Sequence, residues 1–196
     1  MKVKRENIIQ CKTRQEWRNW LAENFDSKEE AWLVFHKKNS GNTSISYNDA
    51  VEEALCFGWI DSIVKRLDEI SRIQRFSPRR AKSNYSQPNI ERVKWLLHNK
   101  LVHPGIEKEL QQIAEKPFIF PADIIQAIRK DPVAWNHYQT FSDGYKRIRI
   151  AYIDSARDRT EEFHKRLHNF ISKTRENKLI GGVGGIDKYY QEAGPK

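Results

Sequence analysis

Between Ser71 and Ile90 the chain reads SRIQRFSPRRAKSNYSQPNI, which holds Arg72, Arg75, Arg79, Arg80 and Lys82 without one carboxylate. Arginine presents a planar fork that grips phosphate or carboxylate through parallel hydrogen bonds, and lysine adds a point charge. Ser83, Asn84 and Ser86 supply neutral donors beside these cations, and Asn89 stands where a helix opens after Pro88. The free N–H groups and positive dipole end of such a helix attract anions. The chemistry within reach is the binding of one compact anion. Its expected ligand-binding set is Arg75, Arg79, Arg80, Lys82, Ser83, Asn84, Ser86 and Asn89. Asp61, in GWIDS, joins the set as a carboxylate able to orient Arg75 or Arg79, or to act as a general base. The plainer alternative is structural: a solvated basic face, or arginines paired with Glu53, Asp61 and Asp68.

No other stretch offers a nucleophile with its base. Cys56 lies in an apolar helix end, where a thiol is ordinarily core. His164 and His168 are four apart, but HKRLH has no Glu between them, and Lys165 and Arg166 would repel a cation. The GGVGG at 181–185 has no strand before it and reads as a linker, not a phosphate loop. The expectation is therefore no catalytic set, no metal and no cofactor.

The chain of 196 residues carries 35 Lys and Arg against 26 Asp and Glu, a net charge of +9. That balance favours anionic partners, with a small anionic ligand first and nucleic acid second. Phe76 and Tyr85 are the stacking candidates for the second reading, though no RRM, KH, zinc-finger or helix-turn-helix pattern accompanies them. A third reading is an enzyme built on Asp61 and the loop arginines. Two cysteines make no disulfide framework, and neither a leader-like N-terminus nor a membrane-length apolar run is visible. A cytoplasmic setting without membrane contact is expected; no oligomeric state is assigned.

The elements that must position these residues follow from periodicity and caps. Asn7 to Cys11 reads as a short strand. Thr13 with Glu16 forms a capping box before Trp17, Trp20, Leu21 and Phe25, which share a helical face. AWLVFH, 31–36, suits a strand buried on both faces and ends in Lys37 and Lys38. Ser46 caps a helix with Ala50, Val51, Ala54 and Leu55 inward, closed by Gly58. Trp59–Arg66 and Ser71–Ser77 then read as an antiparallel pair, which gives βαβαββ. From Pro88 on, prolines and caps at Pro104, Pro121, Asp131, Ser142 and Thr160 mark successive helices. The fold class expected is α+β, with a small mixed or antiparallel sheet followed by helices. The expected division is an α+β domain over 1–116, a helical sub-domain over 117–180 and a flexible tail over 181–196.

EALCFGWIDS, followed by RIQRFSPRRAKSNYSQPN and NIERVKWLL, resembles the YdeI/OmpD-associated family, also called bacteriocin-protection proteins. The stretch AIRKDPVAWNHYQTFSDGYKRIRIAYIDSARDRTEEFHKRL is similar to the helical region that closes its members. The resemblance implies a small cytoplasmic bacterial protein from stress, porin-association or bacteriocin-resistance contexts, and supplies no catalytic residues. Together with the residue chemistry it leads to the expectation of a binding protein for a phosphate- or carboxylate-bearing ligand.

Overall fold

A computed structural model of the chain describes residues 3–80, 83–182 and 185–190. The α+β class and the expected order of elements hold. Two compact units form: residues 1–84 with 96–111, and residues 85–95 with 112–196. The expected division at 116/117 treated each half as continuous; here the second unit also takes in residues 85–95.

The first unit is built on a four-stranded sheet in the order β1-β2-β4-β3. Its strands are β1 (Ile8–Ile9), β2 (Ala31–His36), β3 (Trp59–Arg66) and β4 (Ser71–Pro78). β1 runs parallel to β2, while β2 with β4 and β3 with β4 are antiparallel, so the sheet is mixed. On one face pack α1 (Arg14–Asn24) and α2 (Tyr47–Cys56). The Thr13 hydroxyl accepts from Glu16 N, and the Glu16 carboxylate accepts from Lys12 N, one residue before the cap, so two reciprocal bonds open α1. Trp17 and Leu21 of α1 are fully buried, and Trp17 meets Phe76 of β4 edge-on at 5.4 Å. Ser46 caps α2 by accepting from Asp49 N. Gly58 takes φ 72°, a left-handed turn that frees the chain to enter β3 at low cost. The opposite face of the sheet carries a small cluster of Trp32, Val34 and Ile73, with Val3 and Ile8 against it. That cover explains why β2 is apolar on both faces.

Helix α3 (Gln87–His98) contributes to both units, as does α4 (Pro104–Ala114). The second unit adds α5 (Ala122–Arg129), α6 (Pro132–Thr140), α7 (Asp143–Asp154) and α8 (Thr160–Arg175). Its core holds Ile124, Ile128, Tyr138, Tyr145, Ile148 and Phe170. Asp131 and Ser142 cap α6 and α7 as the sequence suggests.

The stretch expected as a flexible tail, 181–196, is described in part. Residues Ile186–Tyr189 form a short 3-10 turn after Gly185, and Tyr189 and Tyr190 are buried in the second core. Residues 183–184 and 191–196 lie outside the described residues.

Candidate functional site

The loop expected to bind an anion is distributed by the fold in ways the sequence does not show. Arg75 lies on the outer face of β4, where its Nε donates to Glu30 at 2.6 Å. Glu30 also accepts from Asn7 and from the Trp32 indole, at 3.2 and 3.0 Å. The hydrogen bond from Arg75, foremost, holds the Glu30 carboxyl below its ordinary pKa. Arg75 is therefore engaged by Glu30 on that face of the sheet.

Asp61 lies on the other face. It pairs across the sheet with Phe76, so its side chain is on the side of the helices, opposite Arg75. There it accepts from the Tyr47 hydroxyl at 2.9 Å and from the Gln74 amide at 2.6 Å. Of the two arginines that Asp61 was expected to orient, Arg75 or Arg79, the structure sets Arg75 on the opposite face of the sheet. Glu53, the other suggested partner of the loop, is instead buried between Arg14 and Arg18 of α1.

Arg79 donates to the carbonyl of Asn84 at 2.8 Å, and its own N–H to Gly58 O at 3.0 Å. Arg80, Ser83 and Asn84 are exposed, and Ser83 N closes a turn on Arg80 O. Ser86 and Asn89 fall in the second unit, where Asn89 accepts from Arg92 at 2.9 Å. Lys82 lies outside the described residues.

A different group of basic residues comes together at the far end of the sheet. A groove of about 910 Å³ opens where β2 ends, β4 begins and β3 turns back. Phe35, Ile45, Val64 and Tyr47 give it apolar and aromatic walls, and Ser44, Ser46 and Ser71 add hydroxyls. His36, Lys37, Lys38, Arg66 and Arg72 line it, against one carboxylate, Asp68. Arg66 and Arg72 are cross-strand neighbours, and Arg72 also faces Phe35 across β2 with its guanidinium 5.4 Å from that ring. None of Lys37, Lys38, Arg66 and Arg72 has a carboxylate partner among the described residues.

Asp68 is already engaged. It accepts from Ile70 N at 2.8 Å and from the Ser71 hydroxyl at 3.0 Å, and these bonds hold its carboxyl below the ordinary value. Ser71 Oγ in turn lies 3.2 Å from His36 Nδ1. Because that hydroxyl donates to Asp68, it accepts from Nδ1–H, and Nε2 is left to accept from Gln10 at 3.1 Å. Ser44 Oγ accepts from His36 N at 3.2 Å and ties the 41–46 loop to the end of β2. Through the Tyr47 hydroxyl, Asp61 fixes a ring on the groove wall; it is a positioning residue. This arrangement can hold an organic anion with its charge against the strand ends and its body against Phe35 and Tyr47.

The sequence carries a partial signal for this groove. Basic pairs stand at the strand ends, Lys37–Lys38 after β2 and Lys65–Arg66 in β3, with Arg72 near the start of β4. Only the order β1-β2-β4-β3 and its antiparallel register bring them to one place. Among the described residues no three His, Cys, Asp or Glu side chains gather as a metal would need, and no helix is long and apolar enough to cross a membrane.

Residues 9–109 match the family described as Domain of unknown function (DUF8412), and residues 117–177 match Bacteriocin-protection, YdeI or OmpD-Associated. The GWIDS and RFSPRR motifs fall in the first match, and the KDPVAW to HKRL stretch in the second. No curated protein and no solved structure matches the chain. The chain belongs to the first family, which spans just over half of it, and its helical segment is of the YdeI/OmpD-associated, bacteriocin-protection type.

Proposed function

We propose that this member of a family of unknown function, with its bacteriocin-protection segment, is a cytoplasmic binding protein for a small organic anion bearing phosphate or carboxylate. One observation carries the reading: four cations, Lys37, Lys38, Arg66 and Arg72, share a groove whose single carboxylate is held by Ile70 N and Ser71. Exposed like charges gathered at one place repel each other unless an anion joins them. The aromatic wall of Phe35 and Tyr47 suits an organic ligand better than a bare ion. A duplex or long single strand would ask for a continuous basic track, and the groove is compact. The protective role in the matched family's name would then be exercised by sensing or sequestering that anion.

Pyrophosphate and citrate, titrated at fixed ionic strength while the melting temperature is followed, serve as probes. Saturable stabilisation of the wild type is expected, weakened at least tenfold in Lys38→Ala/Arg72→Ala. No stabilisation beyond that of sodium chloride, or an unchanged response in the double variant, overturns the assignment. Binding of a short oligonucleotide that pyrophosphate fails to displace would move the function to nucleic acid.

A further inference from the structure

A second cavity, of about 270 Å³, lies within the helical unit between α7 and α8. Ile153, Phe170 and Ile180 give it apolar walls, Lys165 and Asn169 stand at its exposed side, and Arg149 of α7 lines it from the interior. Arg149 is only 7% exposed, yet it pairs with no carboxylate among the described residues. Its Nη2 donates to the carbonyls of Ile180 and Gly181 and to the Tyr190 hydroxyl, all neutral oxygens. Its Nε is buried without a partner. The guanidinium lies 5.7 Å from the Tyr145 ring centre and 5.3 Å from that of Tyr190. Neither tyrosine serves as a counter-ion, because burial pushes the Tyr145 phenol up and the Tyr190 phenol up to about 12.

A buried guanidinium with an unused donor and no opposite charge is costly. The other charged pair at the cavity does not relieve it. Glu162 accepts from Arg166 at 2.7 Å, and Arg166 also donates to the Tyr152 carbonyl at 2.7 Å. Lys165 makes no ion pair among the described residues, though its charge acts on Glu162, so with Arg149, Lys165 and Arg166 against Glu162 the lining keeps a surplus of positive charge. We propose that it binds a small organic carboxylate. The carboxylate is held by Arg149, a short hydrocarbon body lies against Ile153, Phe170 and Ile180, and Lys165 and Asn169 close the outer end. Apolar walls beside one buried cation favour a singly charged head with an apolar tail over inorganic phosphate, which is more heavily hydrated and has no tail to bury.

The test is a ¹H–¹⁵N NMR titration of the full chain with acetate, butyrate and hexanoate at constant ionic strength, with inorganic phosphate as the comparison. Saturable shifts are expected at the amides of residues 149, 165, 169 and 180. The affinity should rise roughly fourfold per added methylene until the cavity fills. Arg149→Met should abolish binding, and Lys165→Glu, at an exposed position, should weaken it at least fivefold without disturbing the fold. Lys38→Ala/Arg72→Ala should leave it unchanged, which separates this site from the sheet groove. Shifts that do not saturate, phosphate binding tighter than hexanoate, or affinity unaltered in Lys165→Glu would each overturn the assignment.

Discussion

Replacing Glu53 by Gln removes one buried charge and almost no volume, and it tests whether the packing of α1 on α2 depends on ion pairing. Glu53 is 1% exposed, and its carboxylate accepts from Arg14 Nε and from Arg18 Nη1, the latter at 2.6 Å. Arg14 keeps other partners, Glu52 at 2.6 Å and Asp49 at 3.2 Å. Burial works against its charge, but the hydrogen bonds and charges of Glu52 and Glu53 outweigh that and hold its pKa above the ordinary value. Arg18 keeps the Leu101 carbonyl at 2.7 Å, the Phe57 face at 5.4 Å and the neighbouring Cys56 thiol. Removing one partner of a buried pair costs about 3–5 kcal/mol. The Arg14 and Arg18 side chains are 31% and 29% exposed, so water recovers part of that loss. The expected cost of Glu53→Gln is then about 2–3 kcal/mol. Urea unfolding followed by tryptophan fluorescence measures it, since Trp17, Trp20, Trp32 and Trp59 all belong to the first unit. Combined with Arg18→Met, the double variant should be less destabilised than the sum of the two by about 1 kcal/mol or more. A loss below about 0.5 kcal/mol for Glu53→Gln, or strict additivity with Arg18→Met, would refute the reasoning.

Two further outcomes follow from the same structure. Burial pushes the Cys11 thiol up to about 11 and the Cys56 thiol up to about 12, so neither should react with Ellman's reagent at pH 8 until the chain unfolds. Because these folded values are raised, the associated stability is intact below pH 9.0 and is lost as pH climbs through 11 and 12; rapid labelling of the native protein would contradict this. Arg75→Gln should raise the Glu30 carboxyl toward its ordinary 4.5 in an NMR pH titration while leaving anion binding in the groove intact. In the wild type the depressed Glu30 value means that this pairing stabilises above that pH and is lost as pH falls through the folded value. Loss of groove binding in Arg75→Gln would contradict this and make Arg75 part of the anion site.

The elements were legible because their signals are local. Thr13 with Glu16, Ser46 with Asp49, Asp131 and Ser142 each mark a helix start within three residues, and each makes the expected cap. The loop was legible as a basic segment, but the partners of its residues were not, because a strand assigns alternate residues to opposite faces. Arg72 and Gln74 turn toward the helices with Asp61, while Arg75 turns away to Glu30, and no local pattern announces a partner at a separation of 45 residues. Glu52 and Glu53 were hidden for a related reason. They read as the polar face of α2, yet they are buried because Arg14 and Arg18 stand four apart on α1 and meet them. The 189–190 anchor was masked by the glycines before it.

Net charge alone therefore says less about this chain than which cations lack partners. Arg14, Arg18, Arg75, Arg147, Arg157 and Arg166 each sit against a carboxylate and hold helices and strands together. Such pairs cancel in the field outside the protein and add nothing to ligand attraction. Among the described cations that make no ion pair, four gather at one sheet end, and Arg149 and Lys165 stand at one helical cavity. The first set is exposed, so its attraction for an anion must weaken steeply with salt. Arg149 is buried, so its attraction is screened far less and depends on the ligand shedding water. Other cations that make no ion pair among the described residues, such as Lys28, Lys108 and Lys130, are dispersed and exposed, as solubility alone would place them. The set that gathers in a groove with an aromatic wall, and the buried Arg149 beside a cavity with an apolar one, argue for ligands with an anionic head and an organic body.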